Sequence, residues 1–304
     1  TAALIRGVLA KIQINGYSIG GFQAYITSDV LIGAGLSSSA AFETLIGTIV
    51  SYLYNNNEIS AVEIAKIGQY AENVYFGKPC GLMDQMACSV GGMIHIDFKN
   101  PEEPVVEKVP SDFEAYQYSL CIVDTKASHA DLTDDYAQIP ADMKKVAKFF
   151  KKNFLREVPE EEFYNQISAM RGLLGDRPVL RAIHFMEEEI RVQKEVDSLK
   201  AGDFKEFLEL VKESGNSSFK YLQNVYTTND LNQQAVSVAL AGSERILGKH
   251  GVCRVHGGGF AGTIQAFVEN DFVEEYKRRM DKVFGHGSCQ VLKVRQKGGV
   301  KVLG

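Results

Sequence analysis

The sequence lacks the features that mark membrane-spanning and secreted proteins. No stretch of the 304 residues approaches the roughly 20 consecutive apolar residues that a membrane helix requires. The first residues also lack the basic region and cleavage site of a secretory signal. We therefore predict a cytoplasmic protein that does not act in a membrane.

Cysteine is scarce and shows no functional spacing. The five cysteines are odd in number and scattered, without a CxxC pair or a His and Cys spacing typical of metal sites. This is not the pattern of a disulfide-stabilised scaffold or of a zinc site. We interpret all five as reduced thiols that pack in the interior, namely Cys80, Cys88, Cys121, Cys253 and Cys289.

An excess of positive charge is also absent. The formal net charge is -5 and the basic residues form only short clusters, which argues against a nucleic-acid surface. With 45% hydrophobic and 23% charged residues, the chain is typical of a globular protein with room for two modest domains or one large one. We expect a monomer whose partners are small molecules.

Hydrophobic periodicity in the first part alternates between the strand and helix patterns. It predicts a half-buried strand over 22–30, a glycine- and serine-rich turn, and a helix from Ser38 to Tyr54. Ser60 is placed to cap a second helix, which must end at Gly77-Lys78-Pro79 because proline lacks a backbone donor. The acid- and proline-rich segment 101–111 is predicted to be a surface excursion near a domain boundary.

The second half is predicted to be rich in helices and to end in strands. Strand patterns lie near 251–255, 263–268 and 289–294, with a helix over 272–283 between the last two. This order indicates an α+β fold with mostly antiparallel sheets. We predict an N-terminal domain over 1–115 and a C-terminal domain over 116–304.

The turn between the first strand and helix is a candidate phosphate-binding loop. Gly33 and Gly35 let the backbone approach phosphate oxygens, and the amides of the following helix start favour anions. The serines at 37–39 add hydroxyls, one of which can bind Mg²⁺ as the P-loop Ser/Thr does. No Gly-Lys-Ser/Thr follows, so the loop is not a Walker motif. A simple helix cap remains the alternative.

Two carboxylates flank the glycine and proline break and could converge on one site. A kinase needs one carboxylate to hold Mg²⁺ and another to accept or orient the proton of the substrate hydroxyl. Glu72 suits the first role and Asp84 the second. The alternative is that both are ordinary helix-surface charges. A second glycine cluster, His256 to Gly262, lies between two strands and could be a ligand-contacting turn or only a tight connection.

Together these segments resemble the GHMP kinase superfamily, and within it the galactokinases. The stretch from Gly33 to Ala40 is similar to the phosphate-binding motif of the superfamily, and that from His256 to Gly262 to its third motif. The galactokinase-specific part is Gly77 to Gln85, together with Val123 to His129 and Tyr136. The resemblance implies a two-lobed α+β fold with the ligand site between the lobes.

The same resemblance implies phosphorylation of galactose at the anomeric hydroxyl, with ATP as co-substrate and Mg²⁺ as cofactor. Asp84 is similar to the catalytic aspartate, and Ser38 and Glu72 to the magnesium ligands. The positions similar to sugar contacts are Gly81, Asp84 and Tyr136. The phosphate-binding positions are Gly33, Ala34, Gly35, Leu36, Ser37, Ser38 and Ser39.

The sequence departs from the galactokinase pattern in three places. The first motif of the family, Gly-Arg-Val-Asn-Leu-Ile-Gly-Glu-His-Thr-Asp-Tyr, does not occur, and we expect a segment upstream of Thr1 to carry it. Ala137 to Pro140 replaces the usual arginines, and the stretch 217–228 also differs. The alternatives are therefore a kinase for N-acetylgalactosamine or another related sugar, and a non-catalytic regulator that binds sugar and ATP.

Overall fold

The computed structural model describes residues 1–30, 37–127, 132–260 and 262–302. The chain folds into two compact units. The first comprises Thr1–Ser111 and Val294–Gly304, and the second comprises Asp112–Lys293. Each unit has its own hydrophobic core. The domain limits at 115 and 116 inferred from the sequence stay a prediction.

The first unit is built mainly from helices. They are α1 (Ala2–Ile14), α2 (Ser38–Tyr54), α3 (Ala61–Tyr70) and α4 (Met83–Val90), and a π-helical stretch, Ala71–Phe76, continues α3. Ser60 caps α3 as predicted, since its side chain accepts a hydrogen bond from the backbone N–H of Glu63. Gly77, with φ 78°, ends the π-helical stretch at the predicted break.

The core of this unit lies where apolar stripes of the helices meet. Val8 and Ile12 of α1 pack with Ile46 and Val50 of α2 and with Ile67 of α3. Gly7 allows a close approach here, because a Cβ on it would lie 2.7 Å from Cα of Ala71. Helix α1 thereby packs directly on the π-helical stretch that carries Glu72.

A two-stranded antiparallel sheet follows α4. Strand β1 (Met93–Asp97) pairs with β2 (Val105–Val109), with Met93 opposite Val109 and Asp97 opposite Val105. Most residues of the segment 101–111, which was predicted to be a surface excursion, are exposed, and its second half forms strand β2, which the prediction did not include. The prolines at 101 and 104 confine the irregular chain to the turn, and the Val-rich segment after them supplies a strand partner for β1.

The strand predicted over 22–30 is also wrong. Residues 17–29 form neither helix nor strand, and Tyr25 is 94% exposed. Alternation of apolar and polar residues predicts a strand only if a neighbour satisfies the backbone groups. No strand pairs with this segment within the part of the chain that the structure describes.

The second unit contains a four-stranded antiparallel sheet in the order β4-β5-β3-β6. The strands are β3 (Tyr118–Asp124), β4 (Gly251–Val255), β5 (Thr263–Glu269) and β6 (Cys289–Leu292). The helices are α5 (Thr133–Phe149), α6 (Glu160–Asn165), α7 (Ile167–Leu174), α8 (Asp176–Ala201), α9 (Phe204–Ser217), α10 (Ala235–Leu247) and α11 (Val273–Phe284). The predicted α+β class with antiparallel sheets is confirmed.

Alternate residues of each strand face opposite sides of this sheet, as β5 shows. Ile264 and Ala266 of β5 point into a core shared with Leu240 of α10 and Tyr276 of α11. Phe267, the residue after Ala266, faces the other way and packs edge-on against Phe204 and Phe207 of α9. The alternation of β5 thus fixes which helices lie on each face.

Candidate functional site

The phosphate-loop prediction is centred on the start of α2. Ser37 has φ 54° and stands in the left-handed region just before the helix, where it makes no side-chain capping hydrogen bond. Ser39 instead donates its hydroxyl to Oε1 of Glu72 at 3.1 Å. Ser39 therefore has a role other than capping the helix with its side chain. The predicted phosphate contacts Gly33, Ala34, Gly35 and Leu36 lie outside the described residues.

Glu72 is the buried centre of a polar cluster. Its side chain is only 3% exposed, and it belongs to the π-helical stretch after α3. Oε2 accepts a hydrogen bond from Nε2 of Gln85 at 3.0 Å, while Nζ of Lys78 lies 3.5 Å from Oε1. The carboxylate thus has fixed partners on α2, on α4 and in the loop between α3 and α4.

The cluster extends to a second buried carboxyl group that sequence reasoning missed. Nε2 of Gln85 also donates to Oε2 of Glu43, which is 1% exposed. Burial raises the pKa of Glu43 to about 7; the Gln85 hydrogen bond opposes this rise, and the charge of Glu72 adds to it. The available signal was an acid at position 43 among the apolar positions of α2.

Asp84 lies at the exposed start of α4, next to Gln85. One turn later, on the same face, Cys88 lines a cleft in the first unit. Burial and then the charge of Asp84 raise the pKa of the Cys88 thiol to about 11. The start of α2 and the start of α4 are therefore connected by Ser39, Glu72 and Gln85, with Asp84 at the end of the connection.

The cleft has a volume of about 800 Å³, and the described residues that line it belong to the first unit. Its wall includes Ser38 and Ser39 of α2 and Cys88 of α4. Two cationic residues, Arg295 and Lys297, line it from the C-terminal segment, and their side chains are exposed. The cleft thus combines a helix start, hydroxyl groups and positive charge, which suits an anionic ligand.

Sequence reasoning also missed the C-terminal segment as part of the cleft. A Cβ on Gly298 would lie 1.9 Å from the carbonyl oxygen of Ser89, and one on Gly299 would lie 2.3 Å from Oγ1 of Thr48. The two glycines therefore let the segment press against α4 and α2. The adjacent Gly298 and Gly299, between Lys297 and Lys301, were the signal in the sequence that could have indicated this role of the C-terminal segment.

The residues near Glu72 fit a magnesium ion of the kind that kinases use. Mg²⁺ prefers oxygen ligands and is usually bound by one or two carboxylates together with substrate phosphates. Ser38 supplies a hydroxyl in the cleft, and Glu72 supplies a buried carboxylate held by Ser39 and Gln85. Within the described ranges no group of three or more His, Cys, Asp or Glu could hold a metal ion.

Tyr136 and the second glycine cluster lie together in the second unit. The Tyr136 hydroxyl donates to the carbonyl oxygen of Gly259 at 2.9 Å, and the ring packs edge-on against Phe260 with centroids 5.2 Å apart. A Cβ on Gly258 would lie 2.7 Å from the ring of Tyr136. The glycines therefore have a packing role. Gly81 is exposed in the first unit, with open space where a Cβ would stand.

Comparison with known proteins gives the family. A model of the GHMP kinases N terminal domain matches residues 3–92. The galactokinase of Thermotoga maritima is 31% identical over 290 residues, which cover 92% of this chain and 77% of that protein. The galactokinase of Glaesserella parasuis is 32% identical over 275 residues, covering 90% and 68%. The chain belongs to the galactokinase family of GHMP kinases.

Solved structures agree with this assignment at the level of the fold. The galactokinase of Lactococcus lactis, crystallised with galactose, superposes with a TM-score of 0.79 at 24% identity and covers 99% of this chain and 76% of that one. The chain is thus a sugar kinase of the galactokinase family, and as a kinase it takes ATP as co-substrate. Among the described residues, no helix is long and apolar enough to cross a membrane.

Proposed function

We propose that this sugar kinase transfers the γ-phosphoryl group of ATP to the anomeric hydroxyl of galactose. The observation that carries the proposal is the chain of contacts from Ser39 through Glu72 to Gln85, the neighbour of Asp84. These contacts link the start of α2, which is suited to bind phosphate, to the start of α4, where Asp84 is suited to accept the proton of a substrate hydroxyl. The Lactococcus lactis relative, which was crystallised with galactose, supports the choice of sugar.

In the proposed reaction, a bond forms between the anomeric oxygen and the γ-phosphorus while the bond to the β,γ-bridging oxygen breaks. Asp84 accepts or polarises the hydroxyl proton, and ADP leaves with the bridging oxygen. Backbone amides from Gly33 to Ser39 hold the phosphate oxygens. Ser38 and Glu72 would hold Mg²⁺, which neutralises charge on the phosphates. Gly81, Asp84 and Tyr136 contact the sugar.

The test is turnover by the full-length protein with ATP, Mg²⁺ and a panel of sugars. We expect galactose to have the highest kcat/KM, and ³¹P–¹³C coupling in the product to place the phosphate on the anomeric carbon. A preference for N-acetylgalactosamine would contradict the proposed sugar. Saturable binding of galactose and ATP without any product would favour a regulator instead.

Asp84→Asn tests the assigned role of the acid. The change keeps the size of the side chain but removes its charge, and we expect kcat to fall by about 10²–10⁴-fold, the usual range for a general acid–base group. Because Asp84 is exposed, the free energy of unfolding should hardly change. Normal turnover by this variant would show that Asp84 has another role.

A further inference from the structure

Glu43 and Gln85 form a buried pair beside the proposed magnesium ligands. Glu43 lies one helical turn after Ser39 on α2, and Gln85 directly follows Asp84 on α4. Both are fully buried, at 1% exposure each. Neither belongs to the catalytic or ligand-contacting residues proposed above.

The amide of Gln85 is held by two carboxyl groups at once. Nε2 donates to Oε2 of Glu43 at 3.1 Å and to Oε2 of Glu72 at 3.0 Å. Both of its N–H bonds are therefore used. With Oε2 of Glu72 held in this way, Oε1 is turned toward the Ser39 hydroxyl and Lys78. The orientation of Glu72 thus depends on where Gln85 points, and the same Nε2 of Gln85 is also held by Glu43.

Packing alone does not explain an acid at position 43. A carboxyl group taken out of water costs free energy unless it is hydrogen-bonded, and an apolar side chain would fill the space more favourably. Helix α3 also makes room for it, because a Cβ on Gly68 would lie 3.1 Å from Oε2 of Glu43. The acid therefore occupies a site that elements α2, α3 and α4 all accommodate.

We infer that Glu43 is a positioning residue: through Gln85 it fixes the Glu72 carboxylate in the orientation that the metal site needs. The inference rests on the proposed function, which makes Glu72 a magnesium ligand. Residues that orient metal ligands without touching the metal commonly contribute about 10–100-fold in metal affinity. Glu43 needs only to accept a hydrogen bond for this purpose, so a neutral acceptor of the same size should serve.

Four variants of the full-length protein test the inference. Glu43→Met and Gln85→Met remove one hydrogen-bonding partner each with little change in volume, the double variant removes both, and Glu43→Gln keeps an acceptor. Thr48→Ala is the control, since Thr48 is a buried polar residue further along α2 whose hydroxyl has no hydrogen-bond partner among the described residues. Thermal unfolding reports the stability of each protein.

Metal affinity is measured in two ways. One is the Mg²⁺ concentration at half-maximal turnover; the other is Mn²⁺ binding followed by electron paramagnetic resonance with a non-hydrolysable ATP analogue, which needs no turnover. We expect Glu43→Met to weaken both by about tenfold or more, and Glu43→Gln by less than about threefold. The loss of metal affinity in the double variant should equal the larger loss of the two single variants. It should not equal the product of the two losses, because both residues act in one chain of contacts.

The outcomes separate the inference from the proposed function. Unchanged metal affinity in Glu43→Met, with only a lower unfolding temperature as in Thr48→Ala, would assign Glu43 a structural role and overturn the inference. Equal losses in Glu43→Gln and Glu43→Met would also overturn it, because the hydrogen bond would then be irrelevant. A wild-type protein that binds Mn²⁺ with nucleotide but phosphorylates no sugar overturns the proposed function, while the Mn²⁺ titration still decides the inference.

Discussion

The hydroxyl of Ser39 donates a hydrogen bond to the buried carboxylate of Glu72, with 3.1 Å between the two oxygens. This contact ties the first turn of α2 to the π-helical stretch that follows α3. Both Ser39 and its neighbour Ser38 line the cleft, but Ser38 is the proposed metal ligand, whereas Ser39 holds Glu72. In the proposed metal site, Ser38 would bind the ion directly and Ser39 would support the Glu72 carboxylate.

The first prediction separates these two serines. Ser39→Ala leaves one oxygen of the Glu72 carboxylate without its hydroxyl donor, and we expect the Mg²⁺ concentration at half-maximal turnover to rise by about tenfold with a smaller change in kcat. Ser38→Ala removes the proposed ligand and should lower kcat as well. Steady-state kinetics at varied Mg²⁺ measure both.

Ser39→Thr is the control, because threonine keeps the hydroxyl. It should behave like the wild type to within about threefold in the Mg²⁺ requirement. If Ser39→Ala and Ser39→Thr lost activity equally, the size of the side chain rather than its hydrogen bond to Glu72 would be what matters at this position.

The second prediction concerns the pH dependence of stability at Glu43. Burial raises the pKa of this carboxyl group in the folded protein to about 7, from its ordinary value of 4.5. A raised pKa means that the folded state holds the proton more tightly. Protonated Glu43 therefore contributes its full stabilisation of the folded state below about pH 4.5. This contribution is lost as the pH rises through about 7.

Glu43→Gln removes this dependence because glutamine does not titrate. The difference in the free energy of unfolding, variant minus wild type, should increase by up to about 3 kcal/mol between pH 4.5 and pH 7.5, at about 1.4 kcal/mol per pKa unit. Urea unfolding at a series of pH values measures it. A constant difference across this range would mean that Glu43 titrates like an exposed glutamate.

Local patterns predicted most of the regular elements because these elements are defined by their own residues. The limits predicted for α2 and β4 agree with those of the structure, because the apolar periodicity that defines these elements lies within their own residues. Glu72 and Asp84 were singled out because a chain break lies between them. The contacts that hold Glu72, through Ser39 and Gln85, join elements far apart in sequence and leave no local signal.

The errors have the same origin. The strand expected over 22–30 had the right alternation, but strand formation depends on a partner, which the residues of the segment cannot specify. Strand β2 was missed because the prolines and acids that precede it indicated a turn, although Val105–Val109 pairs fully with β1. The π-helical stretch over Ala71–Phe76 was not predicted; it packs against α1 at Gly7, a tertiary contact that its own residues do not indicate.

The third prediction concerns a buried ion cluster of the second unit. Asp142 is fully buried on α5 and accepts hydrogen bonds from Nη1 of Arg181 at 2.9 Å and from Nε of Arg177 at 3.0 Å. Asp142→Asn leaves the Arg181 guanidinium buried without its anion. We expect the free energy of unfolding to fall by about 3–5 kcal/mol at pH 7, measured by urea unfolding.

The pH dependence of this cluster follows from its charges. Burial alone would raise the pKa of Asp142, but the hydrogen bonds from Lys145 and Gln138 and the nearby positive charges outweigh it and lower the pKa. Because the pKa of Asp142 is lower in the folded protein than in the unfolded chain, its contribution to stability is present above the pKa of the unfolded state. It is lost as the pH falls through the pKa of the folded state. The wild type should therefore approach the stability of the variant only in strong acid. Asp176→Asn, which breaks an exposed pair with Arg171, should change stability little.

The fourth prediction compares three neighbouring glycines of the second cluster. Gly259 has φ 80°, and a Cβ on it would lie 1.8 Å from the carbonyl oxygen of Asn224, so Gly259→Ala should destabilise the protein by about 2–5 kcal/mol. Gly257 has φ 59° but open space around it, so Gly257→Ala should cost only the backbone strain, about 1–2 kcal/mol. Urea unfolding of the two variants measures the difference.

Gly258→Ala separates packing from ligand binding in the same cluster. Gly258 has no unusual backbone conformation, but a Cβ on it would meet the ring of Tyr136 at 2.7 Å and must displace that ring. If Tyr136 contacts the sugar, the KM for galactose should rise several-fold, about 3–10-fold for a shift worth about 1 kcal/mol, while the KM for ATP stays unchanged. Tyr136→Phe should retain the ring position and lose only the hydroxyl bond to Gly259. An unchanged KM for galactose in Gly258→Ala, with the ring displaced, would remove Tyr136 from the proposed sugar contacts.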